Sequence, residues 1–166
     1  YYLTGLKNTT KNLQETIDLI KKLTTVKDYK KKVAVGCSAG GFAAILYGHL
    51  LDFSKVIAFN PQTVLSIEME TILNDTIFNV IGKKLRILNT SDTLYQNCLN
   101  LKNLIPFKTK VDLHFSNLSK LDKNHAKFIE HENCKLIKYH SSSHLIAQLL
   151  RESGELKSII EENLGL

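Results

Sequence analysis

An α/β fold with a mainly parallel sheet, covered by helices on both faces in three layers, is predicted by three observations. Val33-Ala34-Val35 and Val56-Ile57-Ala58-Phe59 are short continuous apolar runs, as expected of strands buried on both faces. Segments with apolar residues at helical spacing stand between such runs. Strands and helices then alternate along the chain, which is the pattern of parallel crossover units rather than of hairpins. At 166 residues, 43% apolar and 23% charged, the chain suits a single soluble domain with its own core.

Tyr1 to Leu3 reads as the end of a strand. Leu13, Ile17, Ile20 and Leu23 recur at helical spacing among Lys, Glu and Gln, which predicts an amphipathic helix. Lys30, Lys31 and Lys32 lead into the Val33–Val35 strand, followed by Gly36-Cys37-Ser38-Ala39-Gly40-Gly41. Phe42 to Leu51 is apolar nearly all round and predicts a buried helix. Lys55 to Phe59 repeats the buried-strand pattern and stops at Asn60-Pro61, because proline cannot continue a central ladder.

Ile67 to Val80 is patterned as a helix, Leu85 to Leu88 as a strand, and Asp92 is placed to cap a helix running through Leu104. Lys110 to Phe115 is a strand, followed by a polar loop through Asn124, a short helix near His125 to Glu130 and a last strand at Lys135 to Tyr139. Beyond a Ser-rich loop, Leu145, Ile146, Leu149 and Leu150 form one helical stripe, and Leu156, Ile159 and Ile160 form another after Gly154. There is no internal repeat and no domain boundary. The opening at Tyr1, directly in an apolar stretch, reads as a fragment, a processed chain or an excised domain.

The net charge of +6 comes almost wholly from lysine, with Arg86 and Arg151 the two arginines. Without arginine-aromatic clusters, this charge reads as solvated lysine faces and not as a nucleic-acid surface, although it suits anionic glycans or phosphorylated substrates. Cys37, Cys98 and Cys134 are odd in number and widely spaced. They fit neither a disulfide framework nor a metal site, which favours a reducing, cytoplasmic compartment. Apolar runs such as Phe42 to Leu46 are too short to span a bilayer, so no membrane span is expected.

Gly36-x-Ser38-x-Gly40 lies between a strand and a helix, the setting in which such a pentapeptide places a serine on a strained, exposed turn. The chemistry explains the glycines: small residues on either side let strand and helix approach each other, and Gly41 eases helix packing. The helix that follows aims its N-terminal amides at an oxyanion, with Ala39 N–H as the first donor. The competing reading is a Gly-rich turn that binds phosphate or simply packs. With its strand and helix, Gly36 to Gly41 resembles the nucleophile elbow of the α/β-hydrolase superfamily, and the order of elements from Leu3 to Leu150 is compatible with that fold.

The resemblance implies a serine, an acid and a histidine in that chain order, the acid after the penultimate strand and the histidine after the last. For the base, the loop after Lys135–Tyr139 offers His140 and His144. His144 is preferred because it lies a few residues beyond the strand and just before an amphipathic helix. Asp122 falls in the slot for the orienting acid; a helix cap or turn aspartate is its alternative. The second oxyanion donor is assigned to Gly5 or Leu6, in the loop after the first strand, where the family's usual His-Gly-Gly pattern is absent. The first strands of a complete hydrolase sheet have no counterpart before Tyr1, so the sheet is expected to be reduced or partial.

The expected chemistry is attack on an ester or thioester by Ser38, activated by His144 and oriented by Asp122, with water or an alcohol resolving the acyl-enzyme. It calls for no cofactor and no metal. The expected partner is a small-molecule or glycan ester, because the elbow and the C-terminal third also resemble proteins associated with bacterial surface-glycan synthesis. A catalytically silent binding module of the same fold is the alternative. A metal site built on His140 and His144 or on Asp122 and His125 would need helical spacing that Ser141-Ser142-Ser143 argues against. Between Gln62 and Ile105, Ile67, Met69, Ile72, Ile77 and Phe78 would either line an acyl pocket under a small lid or belong to the core.

Overall fold

The computed structural model describes residues 3–65, 73 and 91–165. Four strands, β1 (Val33–Cys37), β2 (Lys55–Phe59), β3 (Lys110–Ser116) and β4 (Cys134–Tyr139), form one sheet in the order β1-β2-β3-β4. All three pairings are parallel, with Val35 opposite Ile57, Ala58 opposite Leu113 and Leu113 opposite Leu136. Six helices accompany them among the described residues: α1 (Leu13–Thr25), α2 (Ala39–Leu50), α3 (Thr93–Cys98), α4 (Lys120–Phe128), α5 (Ile146–Glu152) and α6 (Glu155–Leu164).

The sheet is covered on both faces because its central strand β2 is apolar on both. On β2, Val56 and Ala58 face a large core with Phe42, Ile45 and Leu46 of α2, Leu13 of α1 and Ala126 of α4. Ile57 and Phe59 point the other way, against Ile146 and Leu150 of α5, with Leu156 and Ile159 of α6 packed behind. Helix α2 approaches β2 so closely that a Cβ on Gly48 would run into Val56 Cγ2.

The structure corrects several expectations. Leu3 is buried in a turn instead of ending a strand. The strand at Val33–Val35 is not buried on both faces: Val35 is 47% exposed, because β1 is an outer strand with no further partner among the described residues. Asp92 caps its helix as expected, its side chain accepting from Tyr95 N–H, but α3 ends at Cys98. There Asn100 bridges to Val64 and its side chain accepts from Lys102 N–H, starting a separate 3-10 turn at Leu101–Leu104. The loop after β3 is short, because Ser119 Oγ accepts from Asp122 N–H and starts α4 at Lys120. The helix expected over Ile67–Val80 and the strand over Leu85–Leu88 lie outside the described residues, apart from Leu73, which is buried.

Candidate active site

Ser38 stands between the end of β1 and the start of α2 with φ 52° and ψ −119°, a conformation that L residues rarely adopt. Backbone contacts hold it there. Its N–H donates to Phe59 C=O at 2.9 Å, and its own C=O accepts from Phe42 N–H at 3.1 Å and Gln62 N–H at 3.3 Å. Gly36 is required on one side, since a Cβ there would collide with the Gly40 backbone, and Gly41 is required beneath Pro61, whose Cβ would lie 2.8 Å from a Gly41 Cβ. Gly40 differs from the expectation. A Cβ there would meet nothing within 4 Å, and Gly40 instead lines an apolar cavity of about 400 Å³ with Leu6, Ile20, Ala43 and Tyr47.

His144 and Asp122 converge on this serine. His144 Nε2 lies 2.9 Å from Ser38 Oγ, and its Nδ1 lies 2.7 Å from Asp122 Oδ1. The Asp122 side chain is 3% exposed and that of His144 33%, so a buried carboxylate sits behind a partly exposed ring. Ser119-x-x-Asp122 has the form of a capping box, in which the carboxylate would turn back to the Ser119 N–H. Here Oδ1 goes to His144 instead, and Oδ2 is buried without a hydrogen-bond partner among the described residues. The carboxylate accepts, so Nδ1 carries the ring proton and Nε2 is free to accept from the Ser38 hydroxyl.

His140, the other candidate, is exposed and lies outside this chain of hydrogen bonds. His125 is buried, and its Nδ1 accepts from Thr63 N–H at 3.0 Å. Both His144 nitrogens are engaged, and among the described residues no three His, Cys, Asp or Glu side chains gather in a metal-binding group.

Ala39 heads α2, where the first amides have no intrahelical acceptor, and so one N–H lies immediately after the serine. Of the two residues assigned the second donor, Leu6 has its amide engaged. Leu6 N–H donates to Thr10 Oγ1 at 2.7 Å, and Gly5 takes φ 94° in a turn where a Cβ would strike the Thr10 carbonyl. The requirement for glycine there is met by the turn itself.

Sequence reasoning missed three residues around this site. Asn60 adopts φ 39° after β2, a conformation asparagine tolerates better than most residues. Its Nδ2 donates to His144 C=O at 2.9 Å, Ser143 C=O at 3.3 Å and Ser116 Oγ at 3.2 Å, while its Oδ1 accepts from Ser116 N–H at 2.9 Å. Ser116 Oγ also donates to Ser143 C=O at 2.5 Å, so the ends of β2 and β3 together pin the backbone that carries His144. Gln62, 1% exposed, donates from Nε2 to Ser38 Oγ at 3.2 Å. The Asn-Pro pair after β2 was the available signal, marking a turn whose following residues return to the elbow. Ile67, Met69, Ile72, Ile77 and Phe78, considered for an acyl pocket, lie outside the described residues.

No family model and no curated protein sequence matches the chain. Among solved structures it is similar to the acylaminoacyl peptidase of Pyrococcus horikoshii, with a TM-score of 0.59 at 12% identity over 92% of this chain and 26% of that one. It is also similar to acetyl xylan esterase 1 from Thermoanaerobacterium sp. JW/SL YS485, with a TM-score of 0.50 at 14% identity over 85% of this chain and 51% of that one. The chain thus spans about a quarter of the first and about half of the second. The likeness is one of fold: the four parallel strands and their helices form an α/β-hydrolase-like core. No helix among the described residues is long and apolar enough to cross a membrane.

Proposed function

We infer that this chain carries the catalytic machinery of a serine hydrolase acting on carboxylic esters or thioesters through an acyl-enzyme. The observation that carries the reading is the unbroken chain of hydrogen bonds from Ser38 Oγ through His144 to buried Asp122, built on a serine with positive φ at a helix start. Ser38 Oγ attacks the acyl carbon while its proton passes to His144 Nε2, and the carbonyl electron pair moves onto oxygen beside Ala39 N–H. His144 then returns the proton to the leaving oxygen or sulfur. Asp122 holds Nδ1–H and stabilises the imidazolium. Water, taking the same path, releases the acid and restores Ser38; an alcohol in its place gives acyl transfer.

O-acyl groups on a glycan are the substrate class favoured within this reading. The resemblance of the elbow and the C-terminal third to surface-glycan proteins points that way, and one protein of similar fold is named for acetyl xylan. Neither a cofactor nor a metal enters the proposed steps.

The test is labelling by a fluorophosphonate, which forms a stable bond with an activated serine. Wild-type chain is expected to label and Ser38→Ala to remain unlabelled. Absence of Ser38-dependent labelling overturns the reading and leaves the silent binding module in its place. Release of acetate from O-acetylated oligosaccharides, compared with simple aryl acetates, tests the glycan preference.

A further inference from the structure

We propose that Gln62 is a catalytic residue that fixes the direction from which Ser38 Oγ attacks; this rests on the serine-nucleophile reading. An sp³ hydroxyl oxygen has four tetrahedral directions. One is the bond to Cβ, and one carries the proton toward His144 Nε2, 2.9 Å away. A third, a lone pair, accepts the Gln62 amide at 3.2 Å. The remaining lone pair is left to form the new bond. Without Gln62 either lone pair can face the substrate, and the hydroxyl can rotate away from His144.

The orientation of the amide follows from the same count. Ser38 has one hydroxyl proton, and His144 Nε2 takes it; an oxygen of Gln62 in the near position would face another acceptor with no proton between them. The nitrogen therefore points at Oγ, leaving Oε1 buried with no hydrogen-bond partner among the described residues. A buried amide oxygen without a partner is a cost that cores usually avoid. The backbone fixes this placement. Asn60 turns the chain with φ 39°, Pro61 packs on Gly41, and Gln62 N–H donates to Ser38 C=O at 3.3 Å, so the side chain starts beside the elbow.

Gln62 exchanges no proton and no electrons in the cycle. In acylation the Oγ–carbon bond forms as the Ser38 proton moves to His144, and the bond from carbon to the leaving oxygen or sulfur then breaks, that atom taking the proton. In deacylation water bonds to the acyl carbon and passes a proton to His144, the Oγ–carbon bond breaks, and Oγ takes the bonding pair and that proton. The Gln62 N–H stabilises the electron density that Oγ regains as it leaves.

The experiment compares second-order rates of fluorophosphonate labelling for wild type, Gln62→Met, which keeps the length and removes the donor, and Gln62→Glu, which puts an acceptor beside Oγ. Loss of one neutral hydrogen bond predicts labelling about five- to tenfold slower in Gln62→Met. Gln62→Glu should be slower still, because its carboxylate competes with His144 for the Ser38 proton. Thermal melting shows whether each variant folds. On the unaltered protein, the Gln62 side-chain amide resonances should move when Ser38 is phosphonylated, a readout that survives misfolding of either variant. Folded variants that label at the wild-type rate, or Gln62 amide resonances that stay in place on labelling, overturn the role of Gln62 and leave the serine reading standing. A wild type that does not label at Ser38 removes both.

Discussion

Asp122 accepts from His144 through one oxygen and buries the other without a partner among the described residues, so its carboxylate serves the ring more than the fold. Replacement by Asn puts an amide that can donate where the carboxylate accepts, which favours the tautomer with Nδ1 bare and Nε2 protonated. Such a ring cannot take the serine proton. Asp122→Asn is expected to lower the rate of Ser38 labelling by about 10³ to 10⁴ while far-UV circular dichroism stays unchanged. Asn60→Ala acts differently, since it frees the backbone under His144. We expect labelling to slow and the melting temperature to fall together, a coupling that Asp122→Asn should lack. Ser38, His144 and Asp122 were legible because chain order and element type select them. Asn60 and Gln62 were not, because each acts through a turn whose φ the sequence does not state. The engagement of the Leu6 amide was hidden for a related reason: nothing in Thr4-Gly5-Leu6 reveals that Thr10 takes it.

At the scale of elements, the apolar run Val56 to Phe59 located β2, since a strand covered on both sides is apolar along its buried length. Boundaries set by single side chains were harder. Ser119 starts α4 several residues before the apolar pattern does, and Asn100 ends one helical stretch and starts the next. The exposure of Val35 was unreadable too, because burial of a strand depends on its neighbours in the sheet and not on its own residues. The junction of β1 and α2 makes a sharp prediction. A methyl group on Gly36 must displace the Gly40 backbone, which is part of the helix start and has no flexible end to move. Gly36→Ala is expected to cost about 1 to 3 kcal/mol or more in urea unfolding and to abolish Ser38 labelling. Gly40→Ala, with open space before its Cβ, should keep most of the stability; equal losses at the two positions would contradict the packing described here.

For the molecule as a whole, a histidine buried on the second face of the sheet predicts a response to acid. On β3, Val111, Leu113 and Phe115 join the large core, while Asp112, His114 and Ser116 point to the opposite face. His114 lies between Phe59 and Tyr139, with Nδ1 2.8 Å from the Tyr139 hydroxyl and Nε2 buried without a hydrogen-bond partner among the described residues. Burial pushes its pKa down from 6.5 to about 4; Asp112 opposes the shift, and Lys55 and Lys135 add to it. Between those two values the unfolded chain binds a proton at this position that the folded chain refuses. Stability must therefore fall as pH drops from 6.5 toward 4, by up to about 1.4 kcal/mol per pH unit, and above 6.5 the residue contributes no pH dependence. His114→Phe keeps an aromatic ring against Phe59 and removes the titration. It should be weaker than wild type at pH 7, where Tyr139 loses a partner, yet lose less further stability between pH 6.5 and 4.5. Urea midpoints for both proteins at those two pH values decide the matter, and parallel losses would mean that the acid sensitivity arises elsewhere.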